Sequence, residues 1–244
     1  MLLWTVVPAG FGSLYFLTRC LARQGRLPVA RSYGLLLAAV GSGVFVVLTS
    51  ELAGAFGGFR RPVFAAAWGA LTVLACGAGF RLWRAAPRSV RIEEPKADFF
   101  SRFLRVMTFG SLLLLLVPGL LLPQTNFDVV TYHLPRVMAW LQQGSLAPFP
   151  TLDYRQLDFA PFGGLAVAQL YALSGGDTLV GTVQWVALGG CLVAVGLLVR
   201  LIGAGLPGGE NTPRAEAVAQ AFALTIPAGI LQATTCQNDL RRRK

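Results

Sequence analysis

The chain has 244 residues, 55% of them hydrophobic and only 13% charged, with a mean hydropathy of +0.60. That composition excludes a water-soluble globular domain and a disordered polymer, and places the chain among integral membrane proteins. The formal net charge of +10 would suit nucleic acid in a soluble protein, but here the basic residues gather in gaps between apolar segments without interleaved aromatics, which argues for membrane topology and no nucleic-acid partner.

The first apolar segment covers residues 2–18. No Lys/Arg region precedes it, which argues against a cleaved signal peptide. Arg19, Arg23, Arg26 and Arg31 fill the gap that follows. A second segment covers residues 33–53, with Glu51 at its end rather than its centre, and Arg60 and Arg61 sit in the short loop beyond. The third covers residues 62–80. After it comes the most basic stretch of the chain, with Arg81, Arg84, Arg88, Arg91, Lys96, Arg102 and Arg105. The fourth covers residues 106–122. Residues 178–199 form a fifth and cleanest segment, and residues 215–236 a further one that Pro227 would kink without excluding it. Each approaches the roughly 17–25 apolar residues that cross a hydrocarbon layer of about 30 Å. Residues 161–173 are apolar but short, either a span or a re-entrant or interfacial helix.

The expected fold is therefore all-α: a polytopic helix bundle of about six or seven transmembrane segments in the cell membrane. It divides into N-terminal membrane helices (1–122), a loop with a juxtamembrane helix (123–160) and further membrane helices (161–244). Small residues such as Gly189 are expected at close helix contacts. Cys20, Cys76, Cys191 and Cys236 show no metal-ligand spacing and are expected to be small buried hydrophobes. The helix interiors are expected to be nearly free of ionisable groups, which argues against an ion-coupled transporter.

The positive-inside rule puts both basic gaps inside and delivers residues 123–160 to the external or periplasmic face. This loop carries Asp128, Asp153 and Asp158 against Arg136 and Arg155, a formal net charge of −1. If residues 161–173 cross the membrane, Arg200 falls outside and Asp239 inside. If they do not, Arg200 and Arg214 lie inside and Asp239 shares the face of Asp128.

The loop holds the chain's only histidine, His133. Val137, Met138, Trp140 and Leu141 cluster on one side of a short helix that Gly144 ends, which reads as an amphipathic helix at the membrane surface with Trp140 at headgroup depth. Pro135 can open a helix but would kink one already running through Thr131. If the turn is helical, Asp128, Tyr132 and Arg136 share a face. A carboxylate there can accept a proton from a hydroxyl nucleophile, and an arginine or histidine can hold a phosphate leaving group. The plainer alternatives are a solvated aspartate, a structural histidine and a lid over the bundle.

The stretch TNFDVVTYHLPRVMAWLQQGSLAPFPT resembles the first external loop of the membrane glycosyltransferases of the C-type fold, relatives of the protein O-mannosyltransferases and the bacterial aminoarabinose lipid A transferases. Asp128 matches the acidic position of that family. Tyr132, His133, Pro135 and Arg136 match the block after it. Gln156, Asp158 and Pro161 fit the polar, proline-marked approach to the next helix, and TCQNDL with Asp239 fits a later polar turn. The resemblance covers roughly residues 106–240. It implies a polyprenyl-phosphate sugar donor, an outward-facing site, and Asp128 as general base in an inverting displacement with a protein, lipid or glycan acceptor. It implies catalytic roles for Asp128, Tyr132, His133 and Arg136, and substrate contacts for Arg155, Gln156, Asp158 and Asp239. Some members hold a divalent metal ion, for which Asp158 and His133 are the candidates. Members usually have eleven or more membrane helices, so this chain reads as the N-terminal part of an enzyme whose C-terminal half would be a partner. The competing reading is a non-catalytic membrane protein, such as a transporter fragment or scaffold.

Overall fold

The computed structural model describes residues 3–26, 31–85, 97–122, 126–203 and 212–235. A single turn, Leu3–Thr5, leads into α1 (Val6–Arg23), followed by α2 (Arg31–Ala55), α3 (Arg61–Ala85) and α4 (Phe99–Leu121). Asp98 caps α4 by accepting from the Ser101 backbone N–H, so the break from the basic stretch has a local cause. The loop region holds a π turn (Val129–His133), α5 (Leu134–Gln143) and the one-turn α6 (Arg155–Asp158). Then come α7 (Phe162–Ser174), α8 (Thr182–Gly203), α9 (Thr212–Leu224) and α10 (Pro227–Ala233). The described residues contain no strand, as an all-α membrane bundle requires.

Four helices, α2, α3, α4 and α8, are long and apolar enough to cross a membrane. Their outward faces carry exposed Val44, Leu48, Leu74, Leu114 and Leu198, the surface expected of helices solvated by lipid. The 18-residue α1 and the shorter α7 and α9 fall outside that group. Within residues 215–235 Pro227 breaks the helix in two. The helix stops at Leu224, Ile226 takes an extended backbone with ψ of 114°, and α10 restarts with Pro227 in its first turn. Proline suits a first turn and disfavours a helical residue before it.

Register contacts fix the helix directions. Gly34 lies against Tyr15 and Thr18 while Gly41 lies against Leu14, so α1 and α2 are antiparallel. Phe16 faces Gly79 and Gln24 donates to the Leu82 carbonyl at 3.2 Å, so α1 and α3 run parallel. Arg105 and Arg200 meet the same carboxylate, and Trp185 donates to the Leu112 carbonyl at 2.6 Å. Hence α4 and α8 are antiparallel, with Gly189 packed on Leu112 as a small contact residue.

The placement of α7 bears on the choice left open for residues 161–173. Phe162 packs on Gly43, half-way along α2, while Gln169 bonds to Thr49 and Ser50 and the Leu173 carbonyl accepts from Arg61 at the start of α3. The helix starts inside the bundle, roughly 18 Å below the end of α2 at 1.5 Å per residue, and climbs to the α2–α3 turn. A short turn then starts α8 at that same end, where α4 also finishes. The chain from α4 to α8 therefore begins and ends at one end of the bundle, and α7 reaches only half-way along α2. Arg19, Arg23, Arg31, Arg105, Arg200 and Arg214 all lie toward the opposite end.

The core sits where α7 enters. Phe59, Phe64, Trp68, Val137, Trp140 and Leu165 are buried in one cluster between α2, α3, α5 and α7. Gln169, 2% exposed, donates to the Val46 carbonyl, Thr49 and Ser50, and accepts from Trp68 Nε1 at 2.9 Å. A buried primary amide is tolerated because each of these bonds offsets its desolvation. Cys20 is buried as expected, but Cys76 and Cys191 are exposed on the outer surface of the bundle, because their helix faces meet no neighbour. Cys236 lies outside the described residues.

Candidate functional site

Asn126 opens the loop helix by accepting from the Asp128 N–H through its side-chain oxygen at 3.0 Å. The backbone then widens into the π turn, with the Leu134 N–H donating to the Val129 carbonyl. Pro135 explains the widening. It has no N–H for the Thr131 carbonyl, and its ring crowds that carbonyl in a regular helix. The stranded oxygen accepts instead from Gln156 Nε2 at 3.0 Å, and Thr151 donates to the other end of the same amide at 3.0 Å. The proline expected to kink the helix therefore binds it to α6. Helix α5 ends at Gly144, whose φ of +69° is the left-handed cap expected of it, and the Gly144 carbonyl accepts from Phe59 N–H at 2.9 Å.

Arg155 ties the candidates together. It makes a bidentate pair with Asp153 at 2.6 and 2.9 Å, stands 3.9 Å from the Asp128 carboxylate, and lies 4.8 Å from the centre of the Tyr132 ring. Asp153 is consequently held below the usual carboxylate range, first by the hydrogen bond from Arg155, and Arg155 is raised by the same bond. Tyr132 is buried, with its ring 4.2 Å from that of His133 and edge-on to Phe159 at 5.3 Å. Asp128 and Tyr132 thus meet through Arg155.

Arg136 belongs to a second, drier group. Only 1% exposed, it donates to the Phe159 carbonyl at 2.8 Å and stacks on Trp140 at 5.1 Å. Gly164 of α7 supplies the room, since a Cβ there would lie 3.1 Å from the guanidinium and 3.3 Å from the indole. Trp140 is 6% exposed and packed edge-on to Phe59, because the apolar face of α5 turns onto α7. The arrangement expected for one helical face is therefore split, with the partly exposed Asp128 beside Arg155 and the buried Arg136 below.

Of the remaining candidates, Gln156 is structural at its amide, Asp158 is exposed at the end of α6, and Asp239 lies outside the described residues. His133 is buried and Asp158 exposed, and among the described residues no three His, Cys, Asp or Glu side chains gather as a metal site. The described chain ends near Gly119, against which the Ala233 carbonyl lies at 3.7 Å, so α10 finishes at the loop end of the bundle.

Sequence reasoning missed three features. Asp153 was read only as loop charge, although an acid two residues before an arginine in a turn is a local pairing signal. The Phe159 carbonyl carries no sequence signal. Glu216 is the exception to ion-free helix interiors: it is 5% exposed on α9, with Arg200 at 2.9 Å and Arg105 at 3.2 Å. Its signal was an acid at the start of an apolar run, facing two arginines in other helices.

Comparison with known proteins matches no family model, no curated protein and no solved structure.

Proposed function

We propose that this chain is a membrane glycosyltransferase, or the N-terminal part of one, that moves a sugar from a polyprenyl-phosphate donor to a hydroxyl of a protein, lipid or glycan. The observation that carries the reading is the partly exposed Asp128 carboxylate, 3.9 Å from Arg155, at the end of an apolar bundle. Support also comes from the resemblance of its surrounding sequence to the C-type loop, and from a charge asymmetry of the kind that favours this end as the outer one.

Asp128 takes the proton from the acceptor hydroxyl, whose oxygen attacks the anomeric carbon. The bond from that carbon to the phosphate oxygen breaks, and its electron pair leaves on the polyprenyl phosphate. Arg155, with a quarter of its side chain exposed, Nε and Nη2 on Asp153 and Nη1 toward Asp128, is the cation nearest the proposed base and the one to meet the phosphate charge. Arg136 is a positioning residue: it joins the loop helix to Phe159 and to α7. Tyr132 carries Arg155 on its ring, and the ring of His133 lies tilted against it.

The test is sugar transfer in membranes from cells making the protein in its native gene context. Asp128→Asn is expected to keep wild-type abundance and melting temperature and to lose transfer by at least roughly a hundredfold, the lower range for a general base. Full activity in that variant would remove Asp128 from the base role. If wild-type membranes transfer no polyprenyl-linked sugar and Asp128→Asn only lowers stability, the loop is the structural clip of a non-catalytic scaffold.

A further inference from the structure

Helices α9 and α10 are parted at Thr225 and Ile226. We propose that this break is the contact surface between two copies of the chain, paired about a two-fold axis along the membrane normal.

The neighbours of the break give its depth. On one side of it, Gln220 donates to the Leu192 carbonyl at 3.1 Å. On the other, a Cβ on Gly229 would lie 3.4 Å from Leu188. Both leucines belong to α8, and Gly189 between them packs on Leu112, near the middle of α4. The break is therefore level with the middle of two helices long and apolar enough to cross a membrane.

Its backbone is incompletely bonded. A continuous helix would join the Ala228 N–H to the Leu224 carbonyl and the Gly229 N–H to the Thr225 carbonyl. Here Gly229 donates to the Ile226 carbonyl at 3.0 Å instead, and Pro227 has no N–H to give. The carbonyls of Leu224 and Thr225 and the N–H of Ala228 have no partner among the described residues. Residues Thr225, Ile226, Pro227 and Ala228 are all exposed. The large side chains nearest in sequence, Val218, Phe222 and Leu231, are exposed too, Phe222 by 74% and Leu231 by 71%.

These features choose the occupant. Lipid tails neither donate nor accept, so they leave bare backbone groups at this depth unsatisfied. An apolar surface of Phe222, Ile226 and Leu231 does not hold water. A regular helix of another protein has its own backbone bonds satisfied and offers side chains alone. The same break in a second copy offers what is missing, an N–H donor and carbonyl acceptors within five residues, and two-fold pairing uses each of them twice. Val218, Phe222 and Thr225 follow one another at spacings of four and three, the seam of a helix that meets a partner along its length. The surface is separate from the Asp128 loop and does not rest on the function proposed for it.

The experiment measures pairing of the full chain in a cysteine-depleted background. Oxidation of Ile226→Cys in membranes is expected to give a disulfide-linked dimer, and Val73→Cys, on the exposed face of α3, is expected to give none. Energy transfer between donor- and acceptor-labelled copies, each labelled at Arg26→Cys and diluted in liposomes, gives the dissociation constant. Pro227→Ala supplies the missing N–H and lets the helix run on, so it is expected to weaken pairing roughly tenfold. Ala228→Leu, at an exposed position, is expected to weaken it as much by bulk, and carries the test if Pro227→Ala fails to fold. Monomers at every protein-to-lipid ratio would overturn the proposal and leave the break to a helix of another polypeptide. Equal cross-linking through Val73→Cys, or an unchanged dissociation constant in the variants, would overturn it as well.

Discussion

At the scale of single residues, Asp153 has the clearest dependence on conditions. Its carboxyl is held low by the hydrogen bond from Arg155, so the pair favours the folded loop only while Asp153 is ionised. A depressed folded pKa gives stability that is fully present above the unfolded value of about 3.9 and lost as pH falls through the lower folded value. Melting temperatures of wild type and Asp153→Asn should therefore differ by a constant amount near neutrality and converge as the pH falls below 4. A gap that widens on acidification would contradict the pairing. Glu216 is the other residue whose removal should be felt. It is the shared carboxylate of Arg105 and Arg200, and Glu216→Gln leaves both cations facing a neutral amide. A loss of about 3 kcal/mol is expected, close to that for breaking a buried pair, whereas Arg200→Gln should cost less because Arg105 remains. Thermal unfolding in one detergent compares the two.

At the scale of elements, the loop helix shows what a sequence carries and what it does not. Gly144 as a stop and Pro135 as a disturbance are both legible, because each acts through its own backbone. That Gln156 repairs the disturbance is not, since the stranded carbonyl of Thr131 is 25 residues away. The two effects should be coupled. Gln156→Ala alone is expected to cost about 1–2 kcal/mol by leaving the carbonyl without its donor. In a Pro135→Ala background the new N–H can serve Thr131, and most of that cost should vanish. A double-mutant cycle on melting stability measures the coupling, and strictly additive losses would refute the explanation. The full break within residues 215–235, more than a kink, has the same origin. Hydropathy sums transfer energies along a window, and neither the break before Pro227 nor the pairing of Glu216 enters such a sum.

At the scale of the whole molecule, the long apolar helices were legible because lipid demands them, and composition alone separates them from the loop. The path of α7 was not, because a 13-residue apolar helix fits a short span and a re-entrant segment equally well. Its direction follows from Gln169 and Arg61, partners that no local pattern names. The topology has a direct test. In a cysteine-depleted protein, single cysteines at Ser145 and at Asp177 should label alike with an impermeant thiol reagent on intact cells, and one at Arg26 should behave oppositely. Ser145 and Asp177 labelling on different sides would mean that α7 crosses. Labelling of Arg26 alone would keep the fold but invert it in the membrane, and take Asp128 off the outer face.

The polar hub at Gln169 also bears on how the chain is assembled during synthesis. A segment this short, carrying a primary amide, gains little by entering lipid alone. Its partners, Val46, Thr49, Ser50 and Trp68, are all made about a hundred residues earlier. The groove between α2 and α3 must therefore exist before α7 can leave the aqueous side. The loop helix, through Arg136 and Gly164, is seated only when α7 is. The neighbourhood of Asp128 thus depends on α7 being seated, and a defect in α2 or α3 would disturb it without touching a single residue of the loop.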